Sequence, residues 1–188
     1  MASVTLAVAC GGETSGPGLG VPRAELLGLA RVVSAEPSPA FCVFKNNVAS
    51  SCQLTHTDAV RTMFAAFAFA PHSVVSRNDT LFCDTCTIIV TATVAPGSYE
   101  FTVGPASLVF NQAGEPVVAV SFARYGDPSV YTQSPRYASA AEFTQAVQLW
   151  RERAPDRWVL GRNSGHTGPT TVTSALEAPG TFLIAAPK

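Results

Sequence analysis

The chain has 188 residues, 47% of them hydrophobic and 13% charged, with a formal net charge of −1. That length suits one domain with a substantial core. The near-neutral charge, with no basic cluster, excludes an electrostatic footprint for nucleic acid, and no run reaches the roughly 20 apolar residues that span a bilayer.

Fourteen Gly, fourteen Pro and abundant β-branched residues favour an all-β class. The charged share is about half the usual one, which implies a surface covered by a partner or lying near a membrane. Of five cysteines, Cys42 with Cys52 and Cys83 with Cys86 make two close pairs, and Cys10 stands alone near the start.

The front, Ser3–Gly12, is a short apolar run ending in small residues and Cys10, followed by Gly, Ser, Thr and Pro as far as Gly20. Two readings stay open here. Cys10 is a lipidation site behind a lipoprotein-type signal, or Val4–Cys10 is a strand that buries its cysteine; no basic residue precedes the run. Residues 1–22 are read as this segment and its tether, and 23–188 as the folded domain. Ala24–Val33 carries apolar residues at both helical and strand spacings, so its state is left open.

Phe41–Val43 and Ser51–Leu54, separated by Asn46-Asn47, suggest a hairpin in which Cys42 and Cys52 face each other. A disulfide between them requires Cα atoms within about 7 Å. Arg61–Ala70 reads as a strand with Met63, Ala65, Phe67 and Phe69 on a buried face; a short amphipathic helix is the weaker alternative, because Pro71 closes the run and aromatics favour strands. Leu81–Val94 reads as another strand, with Ile88, Val90, Ala92 and Val94 opposite Thr87, Ile89, Thr91 and Thr93.

The best-patterned stretch is Gly97–Gly126. Its β-rich runs, Tyr99–Phe110 and Pro116–Tyr125, flank the turn-forming set Asn111-Gln112-Ala113-Gly114. Alternation puts Tyr99, Phe101 and Val103 on one face, and likewise Val118, Val120 and Phe122. This predicts the centre of a β-sandwich. Gly126–Tyr137 follows as a polar, Pro-stiffened loop, and Ser139-Ala140-Ala141-Glu142 is a capping-box pattern that would start a helix burying Phe143 and Val147. Beyond it, either the helix runs on to Arg153, or Val147–Glu152 and Asp156–Leu160 form a hairpin about Ala154-Pro155. Thr170–Leu176 and Thr181–Ala186 close the chain as strands.

Residues 71–188 resemble the ZU5-like and related Ig-like β-sandwich modules of exported bacterial lipoproteins. The resemblance is carried by His72–Thr80 as the loop before a first strand, by Gly104-Pro105-Ala106-Ser107-Leu108-Val109-Phe110-Asn111, and by the Pro116–Val118 strand. Leu149-Trp150 paired with Asp156-Arg157-Trp158-Val159, and Ala178–Ile184 as a final strand, complete it. It implies an Ig-like sandwich in which Val147–Glu152 is a strand and any helix is short, near 139–146. It also implies a module without catalytic residues, acting as spacer, binding surface or assembly part on the outer side of a membrane.

The chemistry-bearing motifs point the same way. Cys83-Asp84-Thr85-Cys86 lacks the helical setting of a redox motif and the second ligand pair of a zinc site, so Cys42, Cys52, Cys83 and Cys86 are expected to form structural disulfides. His56, His72 and His166 sit among loop-type neighbours and read as solvated. No nucleophile elbow is present, and Gly161–Gly168 lacks the lysine and helix of a phosphate loop. Trp150 and Trp158 read as sandwich core, and Tyr125, Asp127, Tyr131 and Tyr137 as interface candidates.

No cofactor, metal or catalytic residue is assigned. The expectation is a non-enzymatic, exported protein, lipid-anchored at Cys10 on the periplasmic or outer face of a membrane, serving as an accessory subunit of a membrane protein complex. An energy-transducing or photosynthetic complex is one such assembly, though no residue specifies it. The alternatives are a carbohydrate- or peptide-binding module and a viral or phage coat or decoration subunit.

Overall fold

A computed structural model describes residues 20–32 and 36–188. Cys10 and the candidate strand Val4–Cys10 lie outside the described residues. In chain order the first strands are β1 (Leu26–Gly28), β2 (Ala30–Arg31), β3 (Ala40–Lys45), β4 (Ser50–Thr55), β5 (Met63–Phe69) and β6 (Val74–Arg77). There follow β7 (Thr80–Leu81), β8 (Thr87–Val94), β9 (Glu100–Gly104), β10 (Leu108–Phe110), β11 (Val117–Ser121) and β12 (Gly126–Asp127). After the helix α1 (Ala140–Ala146) come β13 (Gln148–Ala154), β14 (Arg157–Leu160), β15 (Gly165–Gly168), β16 (Thr171–Ala175) and β17 (Gly180–Pro187).

Two antiparallel sheets face each other. The larger has seven strands in the order β14-β13-β17-β9-β8-β3, with β1 added against β17, and the smaller has five, β15-β16-β11-β5-β4. Two further small sheets, β10-β6-β7 and β12-β2, flank them. The all-β expectation holds, with one short α-helix among the described residues.

Alternation builds the core. Tyr99, Phe101 and Val103 are buried on the inner side of the large sheet, and Val118, Val120 and Phe122 on the inner side of the small one. Rings meet across the gap, with Phe67–Phe101 centroids at 6.2 Å and Tyr99–Phe122 at 6.3 Å. Phe64, Phe67, Phe69, Phe101, Phe143 and Phe182 are all fully buried, and each such side chain contributes about 1.5–3 kcal/mol. This aromatic belt outweighs any surface interaction in holding the sheets together.

The run Tyr99–Phe110 is not one strand. It breaks at the cis Gly104-Pro105 bond into β9, in the large sheet, and β10, beside β6. The chain then crosses to the opposite sheet as β11. The Asn111–Gly114 turn therefore joins layers rather than neighbouring strands. In β5 the register slips between Leu54 and Thr55, leaving Phe64 as an extra residue opposite β4. The bulge turns Phe64 inward, onto the ring of Tyr99 at 5.1 Å, where strict alternation from Met63 would have placed it outside.

Cys42 and Cys52 do not face each other within a hairpin. β3 pairs with β8 in the large sheet and β4 with β5 in the small one, so the two strands are the edges of opposite sheets. The Cys42–Cys52 disulfide, with Cα atoms 5.5 Å apart, staples the sandwich along that corner. Leu81–Val94 is likewise interrupted. β7 ends at Leu81, Cys83–Cys86 forms a disulfide-closed turn, and β8 begins at Thr87.

The helix expected after Ser139 is short and capped. Ser139 Oγ accepts from the Glu142 N–H at 3.2 Å, while Glu142 Oε2 accepts from the Ala138 N–H at 2.8 Å. Phe143 and Val147 are buried beneath it. The chain then enters the β13–β14 hairpin, so the strand reading of Val147–Glu152 is the correct one.

Trp150 and Trp158 are not in the inter-sheet core. With Leu26, Leu183 and Ala185 they form a second cluster that also includes Val21. Alternation explains the placement, since Leu149 is in the main core and Trp150 must therefore point to the other face. The segment beginning at Gly20 covers that face, with Val21 and Trp158 exchanging backbone hydrogen bonds of 2.8 Å. Gly20 has φ +69°, and a Cβ there would lie 2.7 Å from Trp158 O, so only glycine fits this approach.

Candidate functional site

The large sheet extends beyond the small one at its β14 edge. β15 abuts β13, where His166 Nε2 lies 2.9 Å from Val147 O and Ser164 Oγ accepts from the Leu149 N–H at 2.8 Å. No strand among the described residues roofs the inner side of β14. Under this overhang lies an open hollow of about 500 Å³. Val159 and Leu160 of β14 and the turn residues Gln112, Arg162, Glu177 and Ala178 line it.

Two further arginines reach the hollow from β13. Leu149 is fully buried, and two residues on, the same inward-facing position is Arg151. A register slip between Glu152 and Ala154 then inserts Arg153 as an extra residue opposite β14, and both Arg151 and Arg153 line the hollow. An inner face that is apolar elsewhere in the sheet thus becomes cationic at its uncovered end.

Arg162 completes the set of three guanidiniums. It is held by an ion pair to Glu115, a contact of 3.6 Å to Glu177 Oε1, and a 3.2 Å bond from its Nη2 to Gln112 Oε1. Gln112 is itself fixed by donating to Glu177 O at 3.0 Å. Both carboxylates are therefore directed at Arg162. Arg151 Nε, by contrast, is buried without a hydrogen-bond partner. A buried donor left unmade costs about 1–3 kcal/mol. The fork geometry of guanidinium suits carboxylate, sulfate or phosphate oxygens.

The residues singled out from the sequence fall elsewhere. Tyr125 is buried, its hydroxyl donating to Asp58 Oδ2 at 2.9 Å, and burial together with that bond raises its pKa. Asp127 accepts from the Ser129 N–H at 2.9 Å, capping the 3₁₀ turn Pro128–Gln133, and this bond lowers its pKa. Tyr131 packs partly against the core. Tyr137 is buried, donates its hydroxyl to Pro187 O, and has its pKa raised by burial. The Gly126–Tyr137 loop is thus drawn onto the body of the domain, and the hydroxyls of Tyr125, just before it, and of Tyr137 are used internally.

His56 departs from the solvated reading. It is buried beside β5, its ring 4.3 Å from that of Tyr125. His72 and His166 are exposed, His72 standing 3.7 Å from Asp84. Among the described residues, no group of three or more His, Cys, Asp or Glu side chains converges as a metal site would.

Sequence reasoning missed the arginine hollow. Its signal is in Leu149-x-Arg151-x-Arg153, where an inward-facing strand period changes from apolar to basic. Recognising it required knowing that β14 overhangs its partner sheet, which local periodicity does not show. Comparison with protein-family models, curated proteins and solved structures finds no match for this chain.

Proposed function

We propose that this protein is a non-enzymatic, exported binding module whose arginine hollow holds an acidic segment of a peptide partner. The reading rests on the three arginines, Arg151, Arg153 and Arg162, that line one open hollow. Carboxylate side chains match that fork, and the lining offers no aromatic face on which a neutral sugar would stack. The Cys42–Cys52 staple and the Cys83–Cys86 turn fit an oxidising, extracytoplasmic location, with Cys10 as the lipid tether.

Titration calorimetry with short Glu- and Asp-rich peptides, and with their Gln and Asn counterparts, tests this. The acidic peptides should bind and weaken as salt is raised. Arg151→Ala should lose about 1.5–3 kcal/mol, or about ten- to a hundredfold in affinity. Equal binding of the neutral peptides, or an unaffected Arg151→Ala, would overturn the reading.

A second reading, an accessory subunit of a membrane-bound assembly, is supported by the far edge of the same sheet. There Phe41, Val43 and Ile89 are 69%, 59% and 46% exposed, with Val43 directly opposite Ile89 across the β3–β8 pair. An apolar strip on an edge strand suits a protein partner. On that reading the protein extracted from its source membranes in mild detergent carries a lipid mass at Cys10 and co-purifies with one defined complex. Phe41→Glu releases it from that complex without unfolding it.

A further inference from the structure

We propose that Cys83–Cys86 is a thiol-exchange site, at which a dithiol reductant attacks Cys83 Sγ and Cys86 is the leaving sulfur. The two disulfides differ in access. Cys42 is buried and Cys52 packs against the core, whereas Cys83 is exposed at the tip of a turn and Cys86 is half-buried behind it. Exchange requires a line of approach to one sulfur and a stabilised departure of the other. The turn provides both. The backbone N–H of Cys83 donates to Cys86 Sγ at 3.0 Å, so the sulfur that becomes the thiolate already has a hydrogen bond. Cys83 Sγ has a single, longer contact of this kind among the described residues, with the Thr85 hydroxyl at 3.8 Å.

In the first step a thiolate of the reductant forms an S–S bond to Cys83. The Cys83–Cys86 bond breaks, and its electron pair leaves on Cys86, which then takes a proton from water. In the second step the remaining thiolate of the reductant attacks its own sulfur in the mixed disulfide. The reductant leaves as its disulfide, and Cys83 is released and protonated. The turn has gained two electrons and two protons, and the dithiol has lost them.

Opening this turn reaches the corner strands. The Asn46 N–H donates to Cys86 O at 3.1 Å and the Asn47 N–H to Asp84 O at 3.0 Å, so the disulfide-closed turn clamps the connection between β3 and β4. Reduction should loosen that connection while the Cys42–Cys52 staple keeps the sheets joined.

The oxidised protein, treated with graded dithiothreitol, quenched with iodoacetamide and mapped by peptide mass, tests this directly. Cys83 and Cys86 should take label at a dithiothreitol concentration about tenfold below that needed for Cys42 and Cys52, with far-UV circular dichroism unchanged. With glutathione in place of dithiothreitol, the trapped adduct should sit on Cys83. Hydrogen exchange at Asn46 and Asn47 should rise once the turn opens. Parallel labelling of all four cysteines, earlier labelling of Cys42 and Cys52, an adduct on Cys86, or unchanged exchange at Asn46 and Asn47 would each overturn the proposal.

Discussion

Asp58 stands in the connection between β4 and β5, its side chain only 9% exposed, and collects donors from three directions. The Thr62 hydroxyl and the Thr62 N–H both donate to it, the Tyr125 hydroxyl donates at 2.9 Å, and Arg124 Nη1 lies 3.3 Å away. The Thr62 side-chain bond leads in holding its pKa down, to about 2 from an ordinary 3.8, with the Thr62 backbone, Tyr125 and Arg124 adding to it against the effect of burial. A carboxylate whose pKa is lower in the folded state stabilises the fold fully above its unfolded pKa and loses that contribution as pH falls through the folded one. Asp58 should therefore contribute from neutrality down to about pH 4 and lose its contribution by about pH 2. Asp58→Asn should melt lower at neutral pH and show a flatter acid limb over that interval. Thermal unfolding of both proteins across this pH range measures it, and parallel acid limbs would show that Asp58 is not the group responsible.

The elements differ in how much they owe to neighbouring sequence. Helix α1 is set locally, by Ser139 and Glu142 capping its first turn and by Phe143 as its buried anchor. Ser139→Ala should cost about 1 kcal/mol, read from the midpoint of urea unfolding at unchanged slope. An unchanged midpoint would mean that packing of Phe143 alone fixes the helix. Such local signals were legible in the sequence, as were the alternating faces of β8, β9, β11 and β16. What was not legible depended on partners distant in the chain. Cys42 and Cys52 are close enough in sequence to suggest one hairpin, yet β3 and β4 pair with β8 and β5 in different sheets. Trp158 reads as sandwich core because aromatics commonly fill that place, but it is covered by Val21, more than a hundred residues earlier. Arg151 and Arg153 line an open hollow, which local periodicity in β13 does not show.

Across the whole molecule, the two disulfides act on different parts of the free energy. Cys42–Cys52 spans a sequence separation of 10 and ties the edge of one sheet to the edge of the other, whereas Cys83–Cys86 spans 3 within a single turn. In the chain-entropy account, the longer loop stabilises by about 3 kcal/mol and the shorter by about 2 kcal/mol. The native state widens that difference. Losing the first link frees two edge strands whose inward residues, Phe44 and Leu54, belong to the main core, while losing the second frees an exposed turn. The double substitution Cys42→Ala with Cys52→Ala should therefore lower unfolding free energy by about 3 kcal/mol or somewhat more. Cys83→Ala with Cys86→Ala should cost about 2 kcal/mol or less. Urea denaturation of the oxidised proteins ranks the two. If the turn disulfide proved the costlier to remove, its clamp on the β3–β4 connection would outweigh the corner staple.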